Sequence, residues 1–264
     1  MSTPTKTRPV VVKIGGSMMD DESALAGLCA ALARLRKAAA APLVLVHGGG
    51  KDINRHLAWL NEAPVFKDGL RVTGPAALKV VEMTLSGYVN KKLVGLLNAG
   101  GASAAGLSGV DGPTFLCEPI SPELGLVGKI ATVQTELINA LLAAGFLPVV
   151  SPISVDRNMA HYNVNADDAA SALAAALKAE KLIFVSDVEG VRGADGARIP
   201  ELDGAAIDAL IKDGVASGGM IPKLNSCKEA VAQGVGQVEI CRWGGEEAFA
   251  KQVSGSANSG TIIK

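Results

Sequence analysis

The strongest constraint on the fold of this 264-residue chain is its alternation of short β-branched runs with longer helical stretches. Residues 10–14 and 42–46 are mainly apolar runs, which is typical of strands buried on both faces. Between them, residues 25–35 place leucines at spacings of three and four, which predicts one face of a helix. The same order returns after residue 165, with a strand over 181–185. The pattern predicts an α/β fold with a mainly parallel sheet and helices on both faces.

The composition narrows the possible partners. Apolar residues make up 48% of the chain and aromatic residues only 3%, so the core has to be aliphatic. A net charge of −1 and few aromatic rings argue against nucleic acid as a partner. No apolar run has the length of a membrane span or a signal peptide, so we expect a cytoplasmic protein. The scattered cysteines predict buried, reduced thiols and no metal site; they are Cys29, Cys117, Cys227 and Cys241.

Glycine-rich turns follow the first two predicted strands, at residues 15–16 and 48–50. In an open α/β sheet, ligands bind beyond the carboxyl ends of the strands. Glycine lets the backbone approach a ligand closely, and amides at a helix start can hold an anion. Lys13 precedes the first turn and can place an ammonium group beside the same anion. One such turn would suggest packing alone, but two in one sheet favour handling of a phosphate.

Three further polar positions stand out. Arg71 lies in a short loop and could clamp a carboxylate, although a single arginine is more often a surface ion-pair residue. Residues 163–167 place two amides and a carboxylate before a helix, which is more than an N-cap requires. Lys223 opens another helix and, with Lys13 and Asp167, could form a Lys–Asp–Lys unit. The spacing of a P-loop and the G-x-G-x-x-G pattern are both missing, which disfavours a nucleotide-binding dehydrogenase.

Taken in order, six segments resemble the motifs of the amino acid kinase family, namely residues 11–16, 46–50, 69–73, 163–167, 186–190 and 218–223. Each motif alone is weak, but the ordered set is specific and covers nearly the whole chain. The resemblance implies an open three-layer αβα sandwich in one continuous domain. Residues 1–179 would form an N-terminal lobe for the acidic substrate and the dimer contact, and residues 180–264 a C-terminal lobe for the nucleotide.

The resemblance also implies the reaction. ATP, arriving with Mg²⁺, would phosphorylate the γ-carboxylate of N-acetyl-L-glutamate to an acyl phosphate, the second step of arginine biosynthesis. A carboxylate nucleophile is already ionised, so positioning and charge stabilisation would supply the catalysis without a general base. No dedicated protein metal site is expected.

Site residues are carried over motif by motif from the same resemblance. The catalytic set is Lys13, Lys223, Asp167 and Gly16, with the lysines neutralising the phosphoryl group in flight and the aspartate orienting them. The substrate-binding set is Gly48, Gly49, Arg71, Asn163 and Asn165. The nucleotide-binding set is Asp187, Val188, Glu189, Gly190, Val191, Arg192, Ala216, Ser217 and Gly218.

Two finer expectations concern the branch of the family. Arginine-inhibited, hexameric members carry a long N-terminal helix, whereas the first strand here begins by about Val10, so we expect an arginine-insensitive homodimer. Relatives that act on N-acetyl-aminoadipate tend to have serine where Gly50 stands, which favours acetylglutamate. Another amino acid kinase and a non-catalytic ligand-binding protein of the same fold stay open as alternatives. The presence of both Lys13 and Lys223 argues against the second.

Overall fold

An eight-stranded sheet runs through the computed structural model, which describes residues 8–38 and 41–264. The strands are β1 (Val10–Ile14), β2 (Leu43–His47), β3 (Phe66–Lys67), β4 (Leu70–Arg71), β5 (Ala104–Ser108), β6 (Phe115–Pro119), β7 (Val127–Val133), β8 (Leu147–Ser151), β9 (Ile153–Val155), β10 (His161–Val164), β11 (Lys181–Ser186), β12 (Glu201–Leu202), β13 (Val238–Arg242) and β14 (Thr261–Ile263). The α-helices are α1 (Glu22–Lys37), α2 (Gly50–Trp59), α3 (Pro75–Glu82), α4 (Asn90–Ala99), α5 (Glu136–Ala143), α6 (Ala166–Ala176), α7 (Gly204–Lys212), α8 (Met220–Ala232) and α9 (Glu246–Ser254).

The sheet has the order β12-β14-β13-β11-β1-β2-β8-β5. Strand β14 runs antiparallel to β13, and the other neighbours in this sheet are parallel. Lys13 of β1 lies in register with Val46 of β2 and Phe184 of β11, so these three strands end at the same edge. The turns at 15–16 and 48–50 and the segment 187–192 therefore leave the sheet together. The predicted α/β class with an open, mainly parallel sheet is confirmed.

Alternation along β1 sends side chains to both faces of the sheet. Val12 packs in one aliphatic cluster with Leu28 of α1 and Leu93 of α4. Val11 packs in a second cluster with Leu173 of α6 and Leu224 of α8. These residues are all 0% exposed, so helices cover both faces and the predicted three-layer sandwich is confirmed.

A small closed barrel of β6, β7, β9 and β10 was not predicted. Its strands β6 and β7 pair antiparallel. Strands β9 and β10 have three and four residues, too few to carry a period-two signal, and β10 begins with His161. The barrel affects the site because Asn163 lies on β10, three residues before α6 begins.

Helical segments agree with the sequence in most places. Pro75 occupies the first turn of α3. A π-helical segment, Met83–Val89, joins α3 directly to α4. Helix α9 was not predicted. The four cysteines are buried and free, as expected, and burial raises the pKa of each thiol.

The strands contributed by the two predicted lobes occupy opposite halves of the sheet. Strands β1, β2, β5 and β8 come from residues 1–179, strands β11–β14 come from residues 180–264, and the halves meet where β1 pairs with β11. Residues 1–7 lie outside the described ranges, so the expectation drawn from the N-terminal segment stays a prediction. Within those ranges, no helix combines the length and apolar character needed to cross a membrane.

Candidate active site

A Lys–Asp–Lys unit lies at the edge where the central strands end. Lys13 comes from β1, Asp167 from the first turn of α6 and Lys223 from the first turn of α8. Lys13 Nζ lies 2.6 Å from Asp167 Oδ1 in an ion pair. Lys223 Nζ donates a hydrogen bond to Asp167 Oδ2, also at 2.6 Å. The structure therefore brings together three of the four predicted catalytic residues, from elements up to 210 positions apart in sequence (223 minus 13).

The charges in this unit are not balanced. Two lysines share one carboxylate, and their side chains are only 12% and 14% exposed. Burial by itself would raise the pKa of Asp167, but the charges of Lys13 and Lys223 hold that pKa well below its ordinary value. Lys223 Nζ also lies 5.1 Å from the centre of the Phe184 ring, a weak additional attraction. One positive charge is left without a carboxylate among the described residues, which suits an anionic ligand.

Backbone amides without a partner surround the unit. Gly16, the fourth predicted catalytic residue, has a φ of +61°, which glycine adopts without strain. In the part of the chain that the structure describes, the N–H groups of Gly15, Gly16 and Gly49 donate to no protein acceptor. By contrast, the Gly48 N–H donates to Ile14 O at 2.9 Å, so the amide role assigned to this turn falls to Gly49.

Gly49 is also the N-cap of α2, whose first amides have no carbonyl one turn earlier. These amides and the helix dipole favour negative charge at this end of the helix. A Cβ atom added to Gly49 would lie 2.8 Å from Leu85 Cδ2 and 3.2 Å from Val89 Cγ2. The π-helical segment therefore presses directly on this turn, and only glycine fits here without a shift in its neighbours.

Arg71 is a buried cation with no carboxylate partner in residues 8–38 and 41–264. Arg71 is 8% exposed, and its Nη2 donates to Asn54 Oδ1 at 2.6 Å and to Gly50 O at 3.2 Å. Its Nη1 is buried and has no partner among the described residues. Burial lowers the pKa of Arg71, but a guanidinium remains charged. The side chain stacks 4.7 Å from the Phe66 ring centre and lines a cavity of about 280 Å³.

The two predicted asparagines have different surroundings. Asn163 Nδ2 donates to Thr73 Oγ1 at 3.2 Å, which links β10 to the segment after Arg71. Asn165 is the N-cap of α6, and its Oδ1 accepts from the amides of Asp167 and Asp168. The oxygen of Asn165 is thus engaged in orienting the first turn that presents Asp167. Its amide nitrogen is the group that remains for a ligand.

The predicted nucleotide residues form two neighbouring groups. Asp187 lines a 240 Å³ cavity at the end of β11, and its carbonyl accepts from Arg242 Nε and Nη2. Val188 packs against the cluster that contains the buried Val191 and Ala216, so the two segments share one apolar surface. The remaining residues of the set lie in the same two segments, 187–192 and 216–218; they are Glu189, Gly190, Arg192, Ser217 and Gly218.

A larger cavity of about 630 Å³ lies between β7 and helices α6 and α8, next to the helices that carry Asp167 and Lys223 of the Lys–Asp–Lys unit. Asp168 and Ser226 line it, and Ser226 Oγ donates to Asp168 Oδ1 at 2.5 Å. Size alone would place a ligand there, but the surplus charge and the unpaired amides lie at the strand ends. The chemistry therefore points to the strand-end site.

Supporting residues around the site were not identified from the sequence. Asn54 and Thr73 hold Arg71 and Asn163, and His47 contacts the second glycine turn. Of these, only His47 carried a signal, its position directly before the turn. The others become visible only when distant elements are packed together.

Known proteins of similar sequence and structure agree with this geometry. The model of the "Amino acid kinase family" matches residues 8–242. Acetylglutamate kinase of Geobacillus stearothermophilus is 44% identical over 234 residues, which cover 88% of this chain and 89% of that protein. Chloroplastic acetylglutamate kinase of Arabidopsis thaliana is 40% identical over 261 residues, 97% of this chain and 75% of that protein. The solved structure of smu.665 from Streptococcus mutans UA159 has a TM-score of 0.83 at 29% identity and covers 97% of this chain and 98% of that one. The chain belongs to the amino acid kinase family.

Proposed function

We propose that this chain is an acetylglutamate kinase, which transfers the γ-phosphoryl group of ATP to the γ-carboxylate of N-acetyl-L-glutamate. The observation that carries the proposal is a cationic site with an unmet requirement for negative charge. Lys13 and Lys223 share one carboxylate, and the neighbouring amides of Gly16 and Gly49 have no acceptor in the described chain. Relatives named acetylglutamate kinase, at 40% and 44% identity, support this choice of substrate.

The site is suited to phosphoryl transfer because that reaction requires charge stabilisation more than covalent chemistry. The attacking carboxylate is ionised at neutral pH, so no residue has to remove a proton from it. Lys13 and Lys223 neutralise the equatorial oxygens of the phosphoryl group as it moves. Asp167 holds both ammonium groups in place, and the amides of Gly16 and Gly49 donate to the oxygens from the backbone side.

Arg71 supplies the second anion site. Its buried Nη1 has no partner in the described residues and no carboxylate balances its charge, so the α-carboxylate of the acid substrate fits it. Asn163, held by Thr73, offers an amide to the neighbouring polar groups of the substrate.

ATP binds to the half of the sheet that belongs to the C-terminal lobe, through residues 187–192 and 216–218. No cluster of three or more His, Cys, Asp or Glu in the described chain could hold a metal, and Asp167 is engaged by two ammonium groups. Mg²⁺ arrives with ATP and offsets the charge of its phosphates.

A homodimer built through the N-terminal lobe is part of the proposal. Large apolar side chains are exposed on α2, the β3 strand and the π-helical segment. The His56 ring centre lies 4.3 Å from that of Trp59 and 5.4 Å from that of Tyr88, the latter edge-to-face. An exposed aromatic patch of this kind is typical of an interface. Sedimentation of the wild type and of Tyr88→Asp tests it. Cytoplasmic location and insensitivity to arginine stay predictions.

The function is tested by measuring ADP formation with a panel of acids, and by trapping the acyl phosphate with hydroxylamine. N-Acetyl-L-glutamate should give the highest kcat/KM, above N-acetyl-aminoadipate, glutamate and carbamate. A higher kcat/KM with another acid would change the assigned substrate but would still show that the protein is a kinase. Binding of acetylglutamate without any ADP formation would indicate a non-catalytic relative.

A further inference from the structure

We propose that His47 is a positioning residue that aims the Gly49 amide at the transferring phosphoryl group. The proposal rests on the proposed kinase function, because it assigns the Gly49 N–H to the oxygens of that group. His47 touches neither substrate in this role and acts through the backbone of the turn that follows it.

The first observation is a hydrogen bond from the ring to the next peptide. His47 Nδ1 lies 2.9 Å from the carbonyl oxygen of Gly48. A carbonyl only accepts, so Nδ1 carries the proton and donates. The peptide between Gly48 and Gly49 is planar and trans, so its N–H points opposite to its C=O. Holding the carbonyl of Gly48 therefore fixes the direction of the Gly49 N–H.

Asn90 fixes the tautomer from the other side of the ring. Its Oδ1 accepts from Lys91 Nζ at 3.0 Å. Its Nδ2 donates to Val149 O at 2.9 Å, with Leu107 O as a longer third acceptor at 3.3 Å, and to His47 Nε2 at 3.1 Å. Because Nε2 accepts this bond, it has no proton, and Nδ1 must have one. Both His47 and Asn90 are 0% exposed, so water does not compete for these bonds.

The charge state agrees with this assignment. Burial lowers the pKa of His47 to about 4, against the opposing effect of its bond to Gly48, and the charges of Lys13 and Lys91 act in the same direction as burial. The ring is therefore neutral at physiological pH and keeps a single tautomer. A protonated ring would turn Nε2 into a donor facing the Asn90 amide.

The turn is also held at its other atoms. The Gly48 N–H donates to Ile14 O at 2.9 Å, so both sides of this residue are fixed. Leu85 and Val89 occupy the space beside Gly49 that a side chain would need. In the described part of the chain, the Gly49 N–H is the group of this turn that is both aimed and unpaired, which is what an oxyanion donor requires.

The test compares three substitutions that separate the two ring nitrogens. His47→Leu removes both polar groups, His47→Gln keeps a polar group near the ε position only, and His47→Asn keeps a donor near the δ position. Loss of one oxyanion donor costs about 100- to 1,000-fold in kcat, so misaiming it should cost about 10- to 100-fold. We expect that loss in His47→Leu and His47→Gln, with KM values within about threefold of the wild type. His47→Asn should keep most of kcat.

The affinity for a transition-state mimic is a second measurement, and it would not change if His47 only filled space. Affinity for MgADP with aluminium fluoride and acetylglutamate should fall in His47→Leu by about the same factor as kcat, while affinity for acetylglutamate alone stays unchanged.

The outcomes separate the two proposals. Absence of kinase activity in the wild type would overturn the function. An active wild type with unchanged kcat in His47→Leu would overturn only the role of His47. So would equal losses of kcat and of thermal stability in His47→Leu and His47→Asn, since that result would assign His47 to packing.

Discussion

Two lysine–carboxylate groups in the same sheet have opposite characters. In the first, Lys13 and Lys223 share Asp167 at the strand ends, with a surplus positive charge and unpaired amides nearby. In the second, Lys181 Nζ lies 3.4 Å from Glu239 Oε2 and donates to Gln252 O at 2.8 Å. The second pair is balanced in charge and almost completely buried, with side chains 4% and 0% exposed.

The hydrogen bonds complete the contrast. Glu239 Oε1 accepts from Gln252 Nε2 at 2.9 Å and from the amides of Ser259 and Gly260 at 3.3 Å. This pair therefore ties α9 and the segment before β14 to the sheet. A buried ion pair by itself is weak evidence of function. An excess of charge together with unpaired donors is the feature that separates the site from the structural pair.

The largest expected effect is on catalysis at the unbalanced group. Lys13→Ala or Lys223→Ala should lower kcat at least about 1,000-fold, or ~4 kcal/mol of transition-state stabilisation, with smaller changes in substrate affinity. Each substitution leaves one lysine paired with Asp167, so the free energy of unfolding should change by less than about 1 kcal/mol. Steady-state kinetics and urea unfolding measure the two quantities. A kcat within tenfold of the wild type would remove the lysine from the mechanism.

The balanced pair should respond in the opposite way. Lys181→Met leaves Glu239 buried without its counter-charge, which should cost about 3–5 kcal/mol of unfolding free energy. The folded fraction should keep a near wild-type kcat, because the pair lies away from the strand ends. Urea unfolding and kinetics normalised to folded protein test both statements. The double variant Lys181→Met, Glu239→Leu is the control, and it should recover part of the loss because no uncompensated charge remains.

The local sequence predicts the site at the strand ends, but it does not predict the pairing of Lys181 with Glu239. The apolar runs of β1 and β2 and the turns after them predict the sheet and the position of the site, because the signal lies within a few consecutive residues. Lys181 and Glu239 carry no such signal, since neither belongs to a local pattern of polar residues or glycines. Their pairing depends on β11 and β13 being neighbours, which is a property of the whole topology.

The same limit applies within the site. Asn165 could be read as a helix cap from its position before α6, and the structure places it there. The contact of His47 with Asn90 joins residues 43 positions apart, and no spacing rule indicates it. The family motifs name residues that touch substrates. They do not name the side chains that hold those residues.

Arg71 extends the comparison to a cation that has no carboxylate partner among the described residues. Arg71→Ala should raise the KM for acetylglutamate about 10- to 100-fold, or ~1.4–2.8 kcal/mol of binding, with a smaller effect on kcat and on the KM for ATP. Arg71→Lys keeps the charge but loses the two-pronged geometry, so it should fall between the alanine variant and the wild type. Initial-rate kinetics with each substrate varied in turn provide the values. An unchanged KM for the acid in both variants would assign the free charge of Arg71 to another ligand.

The smallest expected effect is on the pH dependence of the unfolding free energy, to which His47 and Asp167 contribute in different pH ranges. The unfolded chain protonates His47 near its ordinary pKa of 6.5, whereas the folded chain does so only near a pKa of about 4. As pH falls through this window, the unfolded state gains a proton first, and the free energy of unfolding should fall by up to about 1.4 kcal/mol per pH unit. Asp167 has a depressed pKa, so its contribution is constant in this window and is lost only at lower pH, as the folded carboxylate takes up a proton. Urea unfolding between pH 6.5 and 4.5 should therefore give a shallower pH dependence for His47→Asn than for the wild type, while Asp167→Asn keeps the wild-type slope. Equal slopes in His47→Asn and the wild type would mean that the ring is protonated in the folded protein, and the neutral tautomer that holds the Gly48 carbonyl would then be wrong.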